Sequence, residues 1–130
     1  MDLASLEPAH EGVEMQVRHP GTNAPIDGMV ITLLGMDSEP ALRAQRVATN
    51  RRLKQGITKM KLSAEELDSD GLDLLTALTV SWRGIEWDGK SYPCTPENTR
   101  SLYTKLRWLR EQVDEFVGER ANFLPKPATS

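Results

Sequence analysis

The stretch TPENTRSLYTKLRWLREQVDEFVGERANFL, residues 95–124, carries the clearest pattern in the chain. Its apolar residues follow one another mainly at spacings of four and three, which is typical of one face of an α-helix. Thr95 is a favourable N-cap and Pro96 is tolerated in a first turn, so the pattern predicts a helix that begins there. The predicted apolar face consists of Leu102, Leu106, Leu109, Val113, Phe116 and Phe123. We therefore expect a long C-terminal helix packed along this face.

Two further helices are predicted upstream of this segment. Ser38 is placed to cap a helix over residues 39–55, and Gly56 is a suitable left-handed terminator for it. Ser63 and the glutamate three residues later form a capping box at the start of the next helix. Apolar residues at spacings of three, four and seven extend that helix to Trp82, and the glycine two residues further on is expected to end it.

Two β-hairpins are predicted around these helices. Residues 13–17 alternate apolar and polar side chains, and residues 26–34 are apolar and β-branched, with a loop rich in proline and glycine between them. Residues 85–92 hold Asp88-Gly89 between two short alternations, which is a strong signal for a tight hairpin. The chain is therefore expected to be α+β, with an N-terminal β-hairpin, three main α-helices and a small β-hairpin before the C-terminal helix.

Length and composition fit one small domain. The chain has 130 residues, of which 38% are hydrophobic and 27% charged, with a formal net charge of −3. We expect a single domain over residues 13–124, flanked by a flexible N-terminus (1–12) and a flexible tail (125–130). The sequence contains no apolar run near the 20 residues that a membrane span needs, and its N-terminus lacks the pattern of a signal peptide. The expected location is therefore the cytoplasm, without a membrane partner.

Residues that carry chemistry are sparse. Cys94 is the one cysteine, His10 and His19 both lie near turns, and His19 has no carboxylate or cysteine at a ligand spacing. The acidic residues before Gly71 fit a calcium loop in part, but Ala77 stands where that loop requires a bidentate glutamate. No phosphate-binding glycine loop or nucleophile motif is found. We therefore predict a protein that is not an enzyme, with no catalytic, metal-binding or cofactor-binding residues.

Basic residues are concentrated between positions 43 and 61. This segment holds seven bases and no acid: Arg43, Arg46, Arg51, Arg52, Lys54, Lys59 and Lys61. Four of them, Arg43, Arg46, Arg51 and Lys54, fall within an arc of about 140° on a helix, where they could follow a phosphate backbone. Apolar residues interrupt this basic face, and a charged outer face is also common on surface helices. Nucleic-acid binding is therefore kept as an alternative function and is not the main prediction.

The C-terminal helix also offers candidate contacts to a partner protein. Tyr103 and Trp108 lie off its apolar seam, and a chain this small has little room to bury a second aromatic stripe. Exposed aromatic residues of this kind mark interaction sites. The candidate partner-binding residues are Tyr103, Trp108, Val113, Phe116 and Phe123. The alternative is that the seam is an intramolecular core stripe, which is the usual case.

Several segments together resemble the tail assembly chaperone family of long-tailed (siphovirus-type) bacteriophages. In the C-terminal half these are LTVSWRGIEW (78–87) with the following Asp-Gly, YPCTPEN (92–98), WLREQVDEF (108–116) and ANFL (121–124). In the N-terminal half they are a hairpin holding HPGT (19–22), then ITLLGMDS (31–38) and an arginine-rich helix. The resemblance covers about residues 13–124. The matched positions are Pro20, Gly35, Asp37, Ser38, Trp82, Gly84, Trp108 and Phe116.

The resemblance implies a non-enzymatic role in tail assembly. Members of this family bind the long, apolar, helical tape-measure protein, keep it soluble and help recruit tail-tube subunits. They then leave, so the chain is expected in the cytoplasm of an infected or lysogenic bacterial host and not in the mature virion. A homo-oligomer is expected because repeated weak sites gain avidity. A third possibility is a structural tail or head-completion protein that stays in the particle.

Overall fold

A computed structural model describes residues 2–55 and 63–125 of the chain. Within these ranges the fold is α+β, as the sequence predicts, with four α-helices and five β-strands. The strands are β1 (Val13–Arg18), β2 (Pro25–Leu33), β3 (Thr79–Arg83), β4 (Glu86–Trp87) and β5 (Lys90–Ser91). The helices are α1 (Glu39–Gln55), α2 (Ala64–Leu78), α3 (Pro96–Lys105) and α4 (Arg107–Gly118), with short 3₁₀ helices at Leu3–Leu6 and Arg120–Phe123.

Three strands form the main sheet, with β2 in the centre and antiparallel to both neighbours. β1 and β2 pair directly, with Met15 opposite Ile31, so the predicted N-terminal β-hairpin is confirmed. Met15 and Val17 of β1 and Ile31 and Leu33 of β2 are buried in the core. Because side chains alternate between the two faces of a strand, these residues give the sheet one apolar face for the helices to cover.

The third strand of the sheet was predicted to be helix, and that prediction is wrong. α2 ends at Leu78, and the next residues form β3, which places Trp82 opposite Ile31 of β2. Thr79 and Val80 are β-branched, and β2 offers their backbone a partner, so the extended conformation is favoured over another helical turn. Gly84 therefore follows a strand and does not end a helix; its φ of 77° turns the chain toward β4.

The small β-hairpin before the C-terminal helices is confirmed. β4 and β5 are antiparallel and joined by Asp88 and Gly89. These two residues have φ angles of 51° and 76°, the left-handed conformation that a two-residue type I′ turn requires at both positions.

Two of the three predicted helix caps are also confirmed. The Ser63 and Thr95 hydroxyls accept hydrogen bonds from the N–H groups three residues later, each over 3.1 Å. Ser38 differs from the expectation, because its hydroxyl donates to the Gly35 carbonyl 2.6 Å away. That bond closes the turn between β2 and α1. The described part of α1 runs to Gln55, and its proposed terminator, Gly56, lies outside the described residues.

The long C-terminal helix is divided into three pieces, so the prediction of three main helices is corrected to four within the described ranges. Leu106, with φ −112° and ψ 85°, separates α3 from α4, and the 3₁₀ helix holding Phe123 follows α4. α3 packs mainly on α2, whereas α4 packs on β1. A straight helix has a single direction, so the break at Leu106 lets the two halves contact different neighbours.

Hydrogen bonds connect the end of β1 and the N-terminal segment to the C-terminal elements. The Gln112 side-chain amide on α4 accepts from the Arg18 N–H and donates to the Arg18 carbonyl, over 3.0 and 2.7 Å, which occupies the backbone of the edge strand β1. The Ala9 N–H donates to the Phe123 carbonyl over 2.8 Å.

The predicted flexibility of residues 1–12 and 125–130 stays a prediction, and residues 126–130 lie outside the described residues. Across residues 2–55 and 63–125, no helix is both long and apolar enough to cross a membrane.

Candidate interaction surface

Helix α1 is the least buried long element of the fold. Its tertiary contacts are mainly with α2, and Ala41 is its one buried residue. The exposed side of α1 and the neighbouring side chains of α2 form what we call the α1–α2 surface. Most surface helices bury a broad apolar stripe. A helix that buries so little of its own surface is available for contacts with another molecule.

A carboxylate clamp holds α1 to α2. Asp70 of α2 pairs with both Arg51 and Arg52 of α1, the latter at 2.6 Å, and its side chain is only 12% exposed. Desolvation by burial raises the pKa of Asp70, but the hydrogen bonds and positive charges of the two arginines outweigh it and hold that pKa below its usual value. Asp70 is therefore ionised at neutral pH and supplies the main polar link between the two helices.

The other central carboxylates of α2 are paired with the C-terminal helices. Asp68 lies 2.7 Å from Arg110 of α4, and Asp73 pairs with Arg100 of α3. The acidic cluster that was tested as a calcium loop therefore binds arginines in the structure. Among the described residues, no group of three or more histidine, cysteine or acidic side chains is placed to hold a metal ion.

The four residues of the predicted basic face have different environments. Arg51 is turned to Asp70, and Arg43 forms an exposed pair with Glu39 at 3.2 Å. Arg46 and Lys54 are exposed and have no ion-pair partner within residues 2–55 and 63–125. Lys59 and Lys61 of the basic segment lie outside the described residues. The face is therefore cationic at its surface, although one of its four members is used for internal packing.

Large apolar side chains are exposed on the same two helices. Leu42, Val47 and Leu53 of α1 are 46%, 61% and 74% exposed, and Leu67 of α2 is 53% exposed. At about 100° per residue, Leu42 and Leu53 lie within about 20° of each other on α1. Single exposed apolar residues are ordinary, but several on one pair of helices suggest a contact surface.

A groove runs between α1 and α2 beside Val47. It encloses about 440 Å³, and its apolar walls are formed by small side chains. These apolar lining residues are Pro40, Ala44, Val47, Ala48 and Ala77, and the charged ones are Arg43, Arg51, Asp70 and Asp73. The alanines of this groove are not among the site residues predicted from the sequence. The signal for them is Ala44 and Ala48 at i, i+4, where short side chains leave room for a neighbouring molecule.

Three of the five predicted partner-binding residues are in the core. Tyr103, Val113 and Phe123 are 1%, 0% and 3% exposed, so the expectation that Tyr103 lies on the surface is wrong. The Thr79 hydroxyl donates to the Leu75 carbonyl, so the Tyr103 hydroxyl is the donor in its 2.7 Å bond to Thr79. Burial raises the pKa of Tyr103. This partner, Thr79, is the first residue of β3, which was not predicted.

The other two predicted residues, Trp108 and Phe116, are half-buried and pack against the core. The Phe116 ring meets Phe123 edge to face, with 5.5 Å between centroids. A separate aromatic group surrounds the small hairpin, where Trp82 stacks on Tyr92 at 6.1 Å and donates its indole N–H to the Tyr92 carbonyl over 2.6 Å. These rings make contacts inside the fold, and the partner-binding role of Trp108 and Phe116 stays a prediction.

The remaining chemical candidates have structural roles in the described residues. Cys94 is half-buried, and desolvation by burial raises the pKa of its thiol, which disfavours the reactive thiolate. The His19 Nδ1 accepts from the Gly21 N–H over 3.0 Å and so shapes the loop between β1 and β2. His10 lies 2.8 Å from Glu7 on the exposed N-terminal segment.

Comparison of the chain with models of known families, with curated proteins and with solved structures finds no match. The fold and the α1–α2 surface therefore rest on the geometry given above. What that geometry offers is a pair of neighbouring helices with exposed apolar side chains and a cationic edge on α1.

Proposed function

We propose that this protein is a phage tail assembly chaperone that binds an apolar helical client, the tape-measure protein, on the α1–α2 surface. The resemblance of residues 13–124 to that family supports the class of function. The observation that carries the site is the set of exposed side chains Leu42, Val47, Leu53 and Leu67 on two neighbouring helices. Leu42 and Leu53 share one side of α1, and exposed apolar side chains arranged in this way are what a chaperone needs to cover the apolar face of a client helix.

The proposal includes a place and a sequence of events. The chaperone acts in the cytoplasm of the bacterial host, holds the tape-measure protein in solution, recruits tail-tube subunits and leaves before the particle is complete. Individual contacts through a few leucines are weak, so a homo-oligomer that presents several copies of the surface would bind one long client with higher avidity. No enzymatic step and no cofactor is part of this proposal.

Co-expression with an apolar helical tail protein tests the proposal. The client is expected to stay in the soluble fraction with the wild-type chain and to precipitate without it. Leu53→Asp is expected to remove most of this effect, because it places a charge among the exposed leucines. Leu3→Asp is the matched control, since Leu3 is 76% exposed against 74% for Leu53 but lies on the N-terminal 3₁₀ helix.

Two results of this experiment would contradict the proposal. One is a client that is no more soluble with the wild-type chain than alone. The other is an equal loss of client solubility with both aspartate variants, because binding on the α1–α2 surface requires Leu53→Asp to have a larger effect than Leu3→Asp. Circular dichroism of both variants checks that each has the wild-type helix content.

A second candidate function is nucleic-acid binding by the basic face. The observation in its favour is the exposure of Arg43, Arg46 and Lys54 on one helix. If this is the function, the protein binds DNA with an affinity that falls steeply with salt, and reversing these three charges abolishes binding. If it is a chaperone, DNA binding is weak, and the same substitutions change client binding instead.

A further inference from the structure

The two helices of the surface have opposite charges. α1 contains five bases and one acid, whereas α2 contains five acids and no base. If these charges only neutralised each other, the surface would offer a partner no electrostatic preference. The ion pairs in the structure show which of these charges are neutralised.

The acids of α2 are largely neutralised inside the fold. Asp68 and Asp73 are paired with arginines of α4 and α3, and Asp70 is paired with two arginines of α1. The two remaining acids, Glu65 and Glu66, are in the first turn of α2, where they interact favourably with the helix dipole. The carboxylates beside the groove are therefore already engaged.

The bases of α1 are not neutralised to the same extent. Arg46 and Lys54 have no ion-pair partner in the described part of the chain. Arg43 has only an i, i+4 pair with Glu39, and both of those side chains are more than two-thirds exposed, at 67% and 78%. Such a pair contributes little and is readily exchanged for another carboxylate. The accessible side of α1 is therefore cationic.

Of these exposed cations, Arg43 lines the apolar groove. Arg43, Val47 and Arg51 follow each other at i, i+4 and i+8, so they form one ridge along the groove. The floor beside the ridge is made by Ala44 and Ala48, which leave room for a large side chain of a partner. Because Arg51 is already paired with a carboxylate of α2, the ridge offers a partner the positive charge of Arg43 next to the apolar side chain of Val47.

We infer that the partner of the α1–α2 surface is an amphipathic helix that inserts a large apolar side chain into this groove and places acidic side chains against Arg43 and Lys54, which lie within about 20° of each other around α1. This inference rests on the proposed function and adds the chemical class of the client segment. A protein helix is favoured over duplex DNA because a phosphate backbone makes no favourable contact with a groove lined by alanines or with the exposed side chain of Val47.

Fluorescence anisotropy with two labelled peptides tests the inference. Both are 20-residue helical peptides with the same leucine stripe, one flanked by glutamates and the other by lysines. The glutamate peptide is expected to bind at least tenfold more tightly in 50 mM salt, and its advantage should shrink as salt is raised to 500 mM. Equal affinity for the two peptides, or binding of neither, would overturn the inference.

Charge reversal on α1 gives the matched set of variants. Arg43→Glu with Lys54→Glu is expected to weaken binding of the glutamate peptide at least tenfold and to strengthen binding of the lysine peptide. Arg107→Glu with Lys90→Glu is the control with the same change in net charge, because Arg107 of α4 is 89% exposed, Lys90 of β5 is exposed, and neither lines the groove. The same loss with the control would also overturn the inference, since it would indicate a response to net charge alone.

A labelled 20-base-pair duplex separates the nucleic-acid alternative from the helical partner. Tighter binding of the duplex than of the glutamate peptide at the same salt would overturn the inference in favour of nucleic acid. The co-expression experiment tests the proposed function separately from these titrations, which test the chemistry of the partner. Selective binding of the glutamate peptide without any effect on client solubility would contradict the proposed chaperone function. It would still support the inference that the partner is an acidic amphipathic helix.

Discussion

Helices α4 and α1 are both amphipathic in part, but they use their side chains in opposite ways. α4 has 12 residues and buries Leu109, Val113 and Val117 in the core. α1 has 17 residues and buries Ala41 alone. α4 and its neighbours therefore supply the hydrophobic stabilisation of the domain, while α1 is attached through α2 and leaves its larger apolar side chains in water. The difference suggests that the core maintains the fold and that α1 serves an interaction.

The largest expected effect comes from the same substitution made in each helix. Leu109→Ala removes a side chain that is 2% exposed, and we expect it to lower the free energy of unfolding by about 2–5 kcal/mol. Leu53→Ala removes one that is 74% exposed and should change that free energy by no more than about 0.5 kcal/mol. Urea denaturation followed by circular dichroism measures both. Similar losses of unfolding free energy for the two variants would contradict the proposed difference between α4 and α1.

A smaller effect is expected from opening the clamp between α1 and α2. Asp70→Asn removes the carboxylate shared by Arg51 and Arg52 and should cost about 1–2 kcal/mol, because the partly desolvated guanidinium groups lose their charged acceptor. Amide hydrogen exchange is expected to accelerate in α1 and to stay unchanged in α4. The control is Asp114→Asn, at an exposed aspartate of α4 without an ion pair in the described ranges. Unchanged exchange in α1 would show that something else holds this helix.

The smallest expected effect is a pH dependence confined to the same contact. The pKa of Asp70 is lowered in the folded protein, whereas an unfolded aspartate titrates at about 3.9. The stabilisation from ionised Asp70 is therefore complete above about pH 3.9 and is lost as the pH falls further, through the folded-state pKa. Helicity followed residue by residue with NMR chemical shifts between pH 5 and 2 should be lost at a higher pH in α1 than in α4. In Asp70→Asn this difference should be absent, and its persistence would exclude Asp70 as the cause.

Much of the fold could be predicted because its signals are local. The cap residues Ser63 and Thr95, and the turn residues Asp88 and Gly89, act within three or four positions along the chain. β3 could not be predicted in this way, because Leu78 and Trp82 have helical spacing and only the pairing with the distant β2 makes the segment extended. A local pattern cannot reveal a partner strand so far away in the sequence.

The interaction surface was harder to predict for the same physical reason. The basic face was visible from spacing, but the pairing of Arg51 and Arg52 with Asp70 joins residues 18 and 19 positions apart across a helix connection. Tyr103 was expected on the surface because one straight helix would have left it off the seam. The break at Leu106 and the hydroxyl of Thr79 on the unpredicted strand give it a buried position instead.

Hydrogen exchange with mass spectrometry on the complex with a co-purified helical tail protein tests the central claim most directly. If the α1–α2 surface binds the client, amides of α1 should exchange at least tenfold more slowly in the complex, while those from Leu109 to Val117 keep their rates. Protection of α4 or of the sheet with no change in α1 would contradict the account, because it would place the client on the part of the molecule that we assign to the fold.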